Sequence, residues 1–183
     1  MSEELIVQQC APTLAGLKTG NIFTCSYVSR KVLWADIRRM NPILTKKGLR
    51  VIPLKVSCRD AMIYIYRPDR LKNDLSGIEA AEILKDCGYE TENIHNCIAC
   101  LMKRLEKKKG FPHEIGLFLG YPPEDVKGFI KNRAAGHKIS GYWKVYGDEK
   151  KALETFALYK KCTRVYEDRC ARGTTIERLA VAG

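Results

Sequence analysis

The chain has 183 residues, of which 45% are hydrophobic and 29% charged, a composition typical of a folded domain and not of a disordered segment. The 32 basic and 21 acidic residues give a net charge of +11, which attracts polyanions. No segment approaches the roughly 20 apolar residues that a membrane helix needs. We therefore expect one domain over residues 1–183 with no membrane partner, and we consider a polyanion or nucleic acid as a partner.

The N-terminus and the cysteines bear on the compartment. Ser2, Glu3 and Glu4 open the chain in place of a basic region followed by an apolar run, so we expect no secretory signal and a cytoplasmic location. Thiols stay reduced in the cytoplasm. The eight cysteines are therefore expected to be free, and most of them to be buried as small hydrophobic side chains.

The first part of the chain predicts two helices and a β-hairpin. Apolar residues at helical spacing predict a helix over residues 5–17, and Ser29 is suited to cap a second helix. Residues 49–56 and 61–66 read as two strands of a hairpin. Pro53 lacks a backbone N–H and therefore predicts an edge strand or a bulge for the first of them.

The second part alternates helices with strands. Gly88 is expected to end one helix, and a second helix is followed by the basic run at residues 107–109. Residues 139–146 predict a strand, and Asp148 is expected to cap a long helix. This order indicates an α+β fold: a single domain with an antiparallel or mixed sheet of about four strands and helices packed mainly on one face.

Residues 111–130, FPHEIGLFLGYPPEDVKGFI, hold the densest group of unusual residues. Ile115, Leu117 and Leu119 lie in a short apolar run bounded by proline and glycine, which predicts a buried strand. Pro123 is expected to be the first residue of the helix that follows, because its fixed φ angle suits that position.

Several blocks carry a resemblance to a known family. They are PHEIGLFLGYP at 112–122 followed by DVKGFI, CAPTLAG at 10–16, GNIFTC at 20–25, GYWKVYGD at 141–148 and YKKCT at 159–163. Over nearly its whole length the chain resembles an uncharacterised family of small bacterial proteins, a domain of unknown function. The resemblance implies membership of that family and implies no activity, substrate or cofactor.

One functional hypothesis is a thiol–imidazole site. His113 and Glu114 follow Pro112 at the entrance of the predicted strand, where we expect them to line a pocket with residues 116–121. Cys25 precedes a predicted helix, and a helix N-terminus lowers the pKa of a thiol. In this interpretation Cys25 is the nucleophile, His113 is its base, and either Glu114 or Asp148 orients the imidazole. The alternative is that Cys25 is a packed thiol and that the other two are ordinary rim residues.

A second hypothesis is a binding face for a polyanion or single-stranded nucleic acid. Aromatic side chains stack on bases, and basic side chains hold phosphates. The candidates alternate along two predicted strands and would form one outward sheet surface: Tyr64, Tyr66, Arg67, Tyr142, Lys144 and Tyr146. The alternative is that the aromatic residues are there for packing, because aromatic residues favour strands for that reason alone.

The sequence gives little indication of a metal site or of a nucleotide-binding site. His95, Cys97 and Cys100 have spacing similar to that of zinc ligands, but on a helix His95 and Cys97 would face opposite ways, so no metal site is expected. There is no P-loop and no G-x-G-x-x-G motif. The sequence therefore indicates no particular cofactor.

Overall fold

A computed structural model gives the structure of the protein and describes residues 1–107 and 111–183. Lys108 and Lys109 of the predicted basic run lie outside the described residues. The elements in chain order are α1 (Glu3–Leu14), β1 (Gly20–Ser26), α2 (Arg30–Thr45), β2 (Arg50–Val56), β3 (Asp60–Tyr66), α3 (Pro68–Ser76), α4 (Ile78–Asp86), α5 (Ile94–Glu106), α6 (Ile115–Phe118), α7 (Pro123–Asn132), β4 (Ile139–Ser140), β5 (Lys144–Val145), α8 (Glu149–Ala171) and α9 (Ile176–Leu179).

The α+β class predicted from the sequence is confirmed. The chain divides into two compact units, one formed by Met1–Arg70 with Tyr159–Gly183 and the other by Leu71–Leu158. The strands form a three-stranded sheet and a separate two-stranded sheet, which is roughly consistent with the predicted count of about four strands. Packing of the helices mainly on one face, and the organisation of residues 1–183 as a single domain, stay predictions.

The first unit is built on the antiparallel sheet, in which the strand order is β1-β3-β2. The predicted hairpin is confirmed, because β2 and β3 pair directly. The prediction for Pro53 is also confirmed. Strand β2 lies at an edge, and its register shifts between Pro53 and Lys55, so the missing N–H costs little pairing.

The helices of the first unit cover this sheet and close its core. Helix α1 packs against β1, β3 and α9, and α2 packs against β2. The Ser29 hydroxyl accepts a hydrogen bond from the backbone N–H of Val32 and caps α2, as the sequence predicts. Fully buried aliphatic side chains such as Ile6, Leu44 and Ile63 form the core.

The second unit contains the helices from α4 to α7 and the short hairpin β4–β5. Helix α7 packs against α4, α6 and β5. Pro123 is its first residue, as predicted. Asn93 caps α5, and its side-chain oxygen accepts a hydrogen bond from the N–H of His95 at 2.8 Å.

The strand predicted at residues 115–119 is wrong. These residues form the short helix α6 and its C-terminal turn. The backbone N–H of Tyr121 bonds to the carbonyl of Gly116 at 3.0 Å, that of Gly120 bonds to Leu117 at 3.1 Å, and Gly120 has φ of +72°. This is a glycine-stopped helix end. A short apolar run does not distinguish a buried strand from a buried helical turn.

The continuous strand predicted over residues 139–146 is also wrong. The segment forms two strands of two residues each, β4 and β5, which pair antiparallel around a turn at 141–143. The turn closes with a bond from the N–H of Gly141 to the carbonyl of Trp143 at 3.0 Å. Trp143 therefore lies in a turn and not on a face of the continuous strand that the sequence predicts.

Candidate ligand-binding site

A cavity of about 400 Å³ lies within the second unit, and its wall is mostly apolar. The lining residues come from the segment that begins at Phe111, from α6 and α7, and from the β4–β5 hairpin. We call it the aromatic cavity. It is lined by Phe111, His113, Ile115, Gly116, Leu119, Tyr121, Asp125, Val126, Phe129, Ser140, Gly141, Trp143 and Lys144.

Gly116 allows α6 to approach its neighbours at the cavity wall. A Cβ atom at this position would lie 2.8 Å from Cγ2 of Val126 and 3.1 Å from Cδ2 of Tyr121. Both distances are shorter than side chains normally allow, so a larger residue would push α6 away from α7 or displace the Tyr121 ring. The glycine therefore sets the shape of the wall.

Asp125 fixes the indole of Trp143. Its Oδ2 accepts a hydrogen bond from Nε1 of Trp143 at 2.7 Å, and its Oδ1 accepts bonds from the backbone N–H groups of Tyr146 at 2.7 Å and Gly147 at 2.8 Å. The carboxylate is 3% exposed. A buried carboxylate that accepts three bonds is satisfied and rigid, so Asp125 holds the hairpin to α7 and orients the cavity wall.

Aromatic rings support the indole on both sides. The Tyr121 ring stacks on Trp143 with ring centres 4.9 Å apart, and Phe156 contacts Trp143 edge-on at 4.5 Å. The Tyr121 hydroxyl donates to the carbonyl of Tyr142 at 3.0 Å. Gly141 leaves room for this packing, because a Cβ there would lie 2.3 Å from the Phe156 ring. The wall is thus formed before any ligand arrives.

His113 lies at the rim of the aromatic cavity. Its ring is exposed to solvent and contacts Phe129 edge-on, with ring centres 4.9 Å apart. Phe111 is also exposed, at 52% of its surface. Lys144 reaches the same cavity, and its Nζ donates to the carbonyl of Ala134 at 3.2 Å. The few polar groups of the cavity therefore lie among large apolar side chains.

A second cavity of about 390 Å³ shares Phe111 and His113 with the first. We call it the basic cavity, because Arg104, Lys107 and His113 lie in its wall and Glu114 is the one carboxylate there among the described residues. Its lining residues are Cys87, Arg104, Lys107, Phe111, Pro112, His113, Glu114 and Ile130.

Glu114 is buried and engaged by two donors. Its Oε1 accepts a hydrogen bond from the Tyr89 hydroxyl at 2.8 Å and from Nε of Arg104 at 2.5 Å. Nη1 of Arg104 donates to the carbonyl of Cys87 at 2.9 Å. Burial, and in addition the Glu114 charge, raise the pKa of Tyr89, so its hydroxyl remains a donor. Glu114 therefore forms a fixed ion pair beside His113 and does not accept from its ring in this structure.

Cys25 differs from the expectation in two respects. It lies within β1, opposite Ala61, and not at a helix start. It is 4% exposed, and burial raises the pKa of its thiol, whereas the hypothesis requires a lowered one. Cys25 belongs to the first unit, and His113 and Glu114 belong to the second.

The predicted tyrosine face is wrong as a single sheet surface. Tyr64 and Tyr66 lie on β3, whereas Tyr142, Lys144 and Tyr146 lie in or beside the β4–β5 hairpin of the other sheet. The rings of Tyr64 and Tyr66 stack 4.6 Å apart and are buried.

Arg67 is buried as well, and its guanidinium donates to four backbone carbonyls, those of Thr13, Leu14, Lys47 and Val181. Its donors are therefore used within the first unit, and Arg67 serves the fold of that unit instead of an outer binding edge.

The cysteine–histidine group of α5 is not assembled. Cys97 is buried and donates from Sγ to the carbonyl of Glu90 at 3.3 Å, whereas His95 is exposed. Within residues 1–107 and 111–183, no group of three His, Cys, Asp or Glu side chains could hold a metal ion.

Sequence reasoning missed the residues that build the aromatic cavity. The sequence pattern assigns no site role to Asp125, and it places Trp143 only within the strand predicted over residues 139–146. A signal was present, because the tryptophan stands in a short segment with Gly141 before it and Gly147 after it. Such glycines often mark a tight turn or a close backbone approach.

Fold and site together define a class: an α+β protein with a preformed aromatic cavity in its second unit. The family described as "Protein of unknown function (DUF3793)" matches residues 6–180, and the chain belongs to this family. No curated protein and no solved structure matches the chain. Within the described part of the chain, no helix is long and apolar enough to cross a bilayer.

Proposed function

We propose that the second unit binds a small, planar, apolar molecule in the aromatic cavity. The observation that carries the proposal is the indole of Trp143, which Asp125 and two aromatic rings hold in place on the cavity wall. A rigid wall loses little entropy when a ligand binds, so most of the contact energy appears as affinity.

Size and polarity support this class of ligand. The volume of about 400 Å³ lies within the range of about 300–1,000 Å³ that is typical of small-molecule sites. A mostly apolar wall leaves hydrophobic surface in contact with water, and a planar apolar ligand removes that surface from water. Aromatic rings add offset or edge-on contacts that favour a ring system over a branched aliphatic molecule.

The few polar groups of the aromatic cavity are suited to orienting a ligand. Asp125 already accepts three hydrogen bonds, so the ligand is not expected to bind to it. His113 is exposed at the rim and is the polar side chain that we assign as a direct ligand contact. Lys144 is the second polar group that reaches the cavity.

The test is direct calorimetric titration with β-naphthamide, a neutral planar probe, against the whole protein and two variants. Leu119→Trp fills the aromatic cavity from its wall, and Leu153→Trp adds the same side chain at an exposed position of α8 outside the lining. We expect micromolar binding that weakens at least about 10-fold in Leu119→Trp, a loss of about 1.4 kcal/mol, and stays unchanged in Leu153→Trp. Equal binding by both variants, or no binding to the wild-type protein, would overturn the proposal.

A further inference from the structure

We infer that the ligand of the aromatic cavity carries an anionic group, which lies in the basic cavity beside Arg104, Lys107 and His113. This inference rests on the proposed function and specifies the chemical class of the ligand: a planar apolar body with a carboxylate or phosphate at one end. The two cavities are adjacent, because Phe111 and His113 contribute to both walls.

The charges of the basic cavity are unbalanced in favour of an anion. Glu114 is its one carboxylate among the described residues, and Arg104 already pairs with it at 2.5 Å. Among the residues that the structure describes, none forms an ion pair with Lys107. Lys107 therefore leaves one uncompensated positive charge on the wall, and the exposed ring of His113 supplies a further donor.

The donors are also held in place. The Arg104 side chain is anchored through Nε to Glu114 and through Nη1 to the carbonyl of Cys87, and no residue that the structure describes accepts a hydrogen bond from its Nη2 group. The guanidinium lies 5.5 Å from the centre of the Tyr89 ring. An anion entering the cavity thus meets a positioned guanidinium edge and a flexible ammonium, a combination suited to carboxylate and phosphate oxygens.

Solvent access supports a ligand that spans the two cavities. Phe111 and His113, which belong to both linings, are both exposed, so a molecule can lie across them without displacing a buried side chain. Glu82 and Asp86 line a smaller cavity of about 110 Å³ and not the basic cavity.

The experiment compares three probes that share a naphthalene ring: β-naphthamide, β-naphthoate and β-naphthyl phosphate. Each is titrated calorimetrically into the wild-type protein, Lys107→Met and Lys103→Met. Lys103 is a matched control, because it is an exposed lysine one turn earlier on α5 and outside the basic cavity. We expect at least one anionic probe to bind about 10-fold tighter than the amide, which corresponds to about 1.4 kcal/mol.

The preference for that anionic probe should fall at least about 3-fold in Lys107→Met, remain in Lys103→Met and weaken with added salt. Whichever of the two anions binds more tightly identifies the head group. Equal binding of amide and anions, or a preference that survives Lys107→Met unchanged, would overturn the inference and leave the proposed function standing. Failure of every probe to bind would instead remove the proposed function itself.

Discussion

Trp143 and Asp125 are joined by a hydrogen bond of 2.7 Å from the indole Nε1 to the carboxylate Oδ2. The other carboxylate oxygen binds two backbone N–H groups that follow β5. A side chain on α7 therefore determines both the position of the indole and the path of the chain after the hairpin. The shape of the aromatic cavity depends on this one buried carboxylate.

Replacing Asp125 should disrupt the cavity wall. In Asp125→Ala three donors lose their acceptor, and we expect the free energy of unfolding to fall by about 3 kcal/mol. In Asp125→Asn the amide oxygen keeps the backbone bonds, but its NH₂ group cannot accept from the indole, so the loss should be smaller. Urea denaturation measures the free energy of unfolding of both variants. Asp86→Ala, at an exposed position of α4, is the control, and an Asp125→Ala variant as stable as that control would contradict this role.

Glu114 and Tyr89 should be energetically coupled. Glu114→Ala leaves the buried Tyr89 hydroxyl and the Arg104 guanidinium without their acceptor, and should cost about 2–4 kcal/mol. Tyr89→Phe removes one donor and should cost less. A double-mutant cycle measured by denaturation should give an interaction energy of about 1 kcal/mol. Strictly additive effects would show that the hydrogen bond contributes nothing.

Lys18 should make stability depend on pH in the first unit. The side chain is 3% exposed, and burial lowers the pKa of its ammonium group to about 7. An unfolded lysine titrates at about 10.4. Between these values the unfolded chain binds more protons, so this side chain's contribution to the free energy of unfolding rises with pH, by at most about 1.4 kcal/mol per pH unit.

The measurement is the difference in stability between Lys18→Met and the wild-type protein from pH 7 to pH 10. We expect the free energy of unfolding of Lys18→Met, relative to that of the wild-type protein, to be highest at pH 7 and to fall as pH rises. Taking the difference cancels the contributions that the two proteins share. Lys46→Met, at an exposed position, should give a difference that does not change with pH, and a similarly flat result for Lys18→Met would refute the assignment.

Loss of the Arg67 side chain should strongly destabilise the first unit. Its guanidinium binds carbonyls at the end of α1, after α2 and in the C-terminal segment. Arg67→Met leaves these acceptors unpaired and should lower the free energy of unfolding by at least about 3 kcal/mol. Arg70→Met, at an exposed position, should stay within about 1 kcal/mol of the wild-type protein. Equal stabilities of the two variants would contradict this structural role.

Much of the fold could be predicted because its signals are local. Strands β2 and β3 are short, mostly apolar runs joined by a brief connection, and Pro53 predicts an edge position for β2 because it lacks a backbone N–H. Helix α6 could not be assigned, because four buried residues fit a strand or a helical turn equally well. The glycine at 120, followed by two prolines, was the available sign of a helix end.

The site was predicted less completely than the fold. The sequence placed a pocket at His113, Gly116 and Tyr121, and these residues do line the aromatic cavity. It did not bring Trp143 or Asp125 into that pocket, because contacts between residues 18 positions apart depend on packing and not on local pattern. The sequence pattern also placed Cys25 just before a helix, whereas it lies buried within β1, because spacing along the chain carries no information on burial.

The central claim, that the aromatic cavity binds a planar apolar molecule, is tested most directly by the indole N–H signals of the two tryptophans. Trp143 lies in the cavity wall, and Trp34 lies on α2 in the first unit as an internal control. A two-dimensional proton–nitrogen NMR titration with β-naphthamide, with signals assigned through Trp34→Phe, should shift the Trp143 signal saturably and leave the Trp34 signal in place. A Trp143 signal that does not move at millimolar probe would contradict the account.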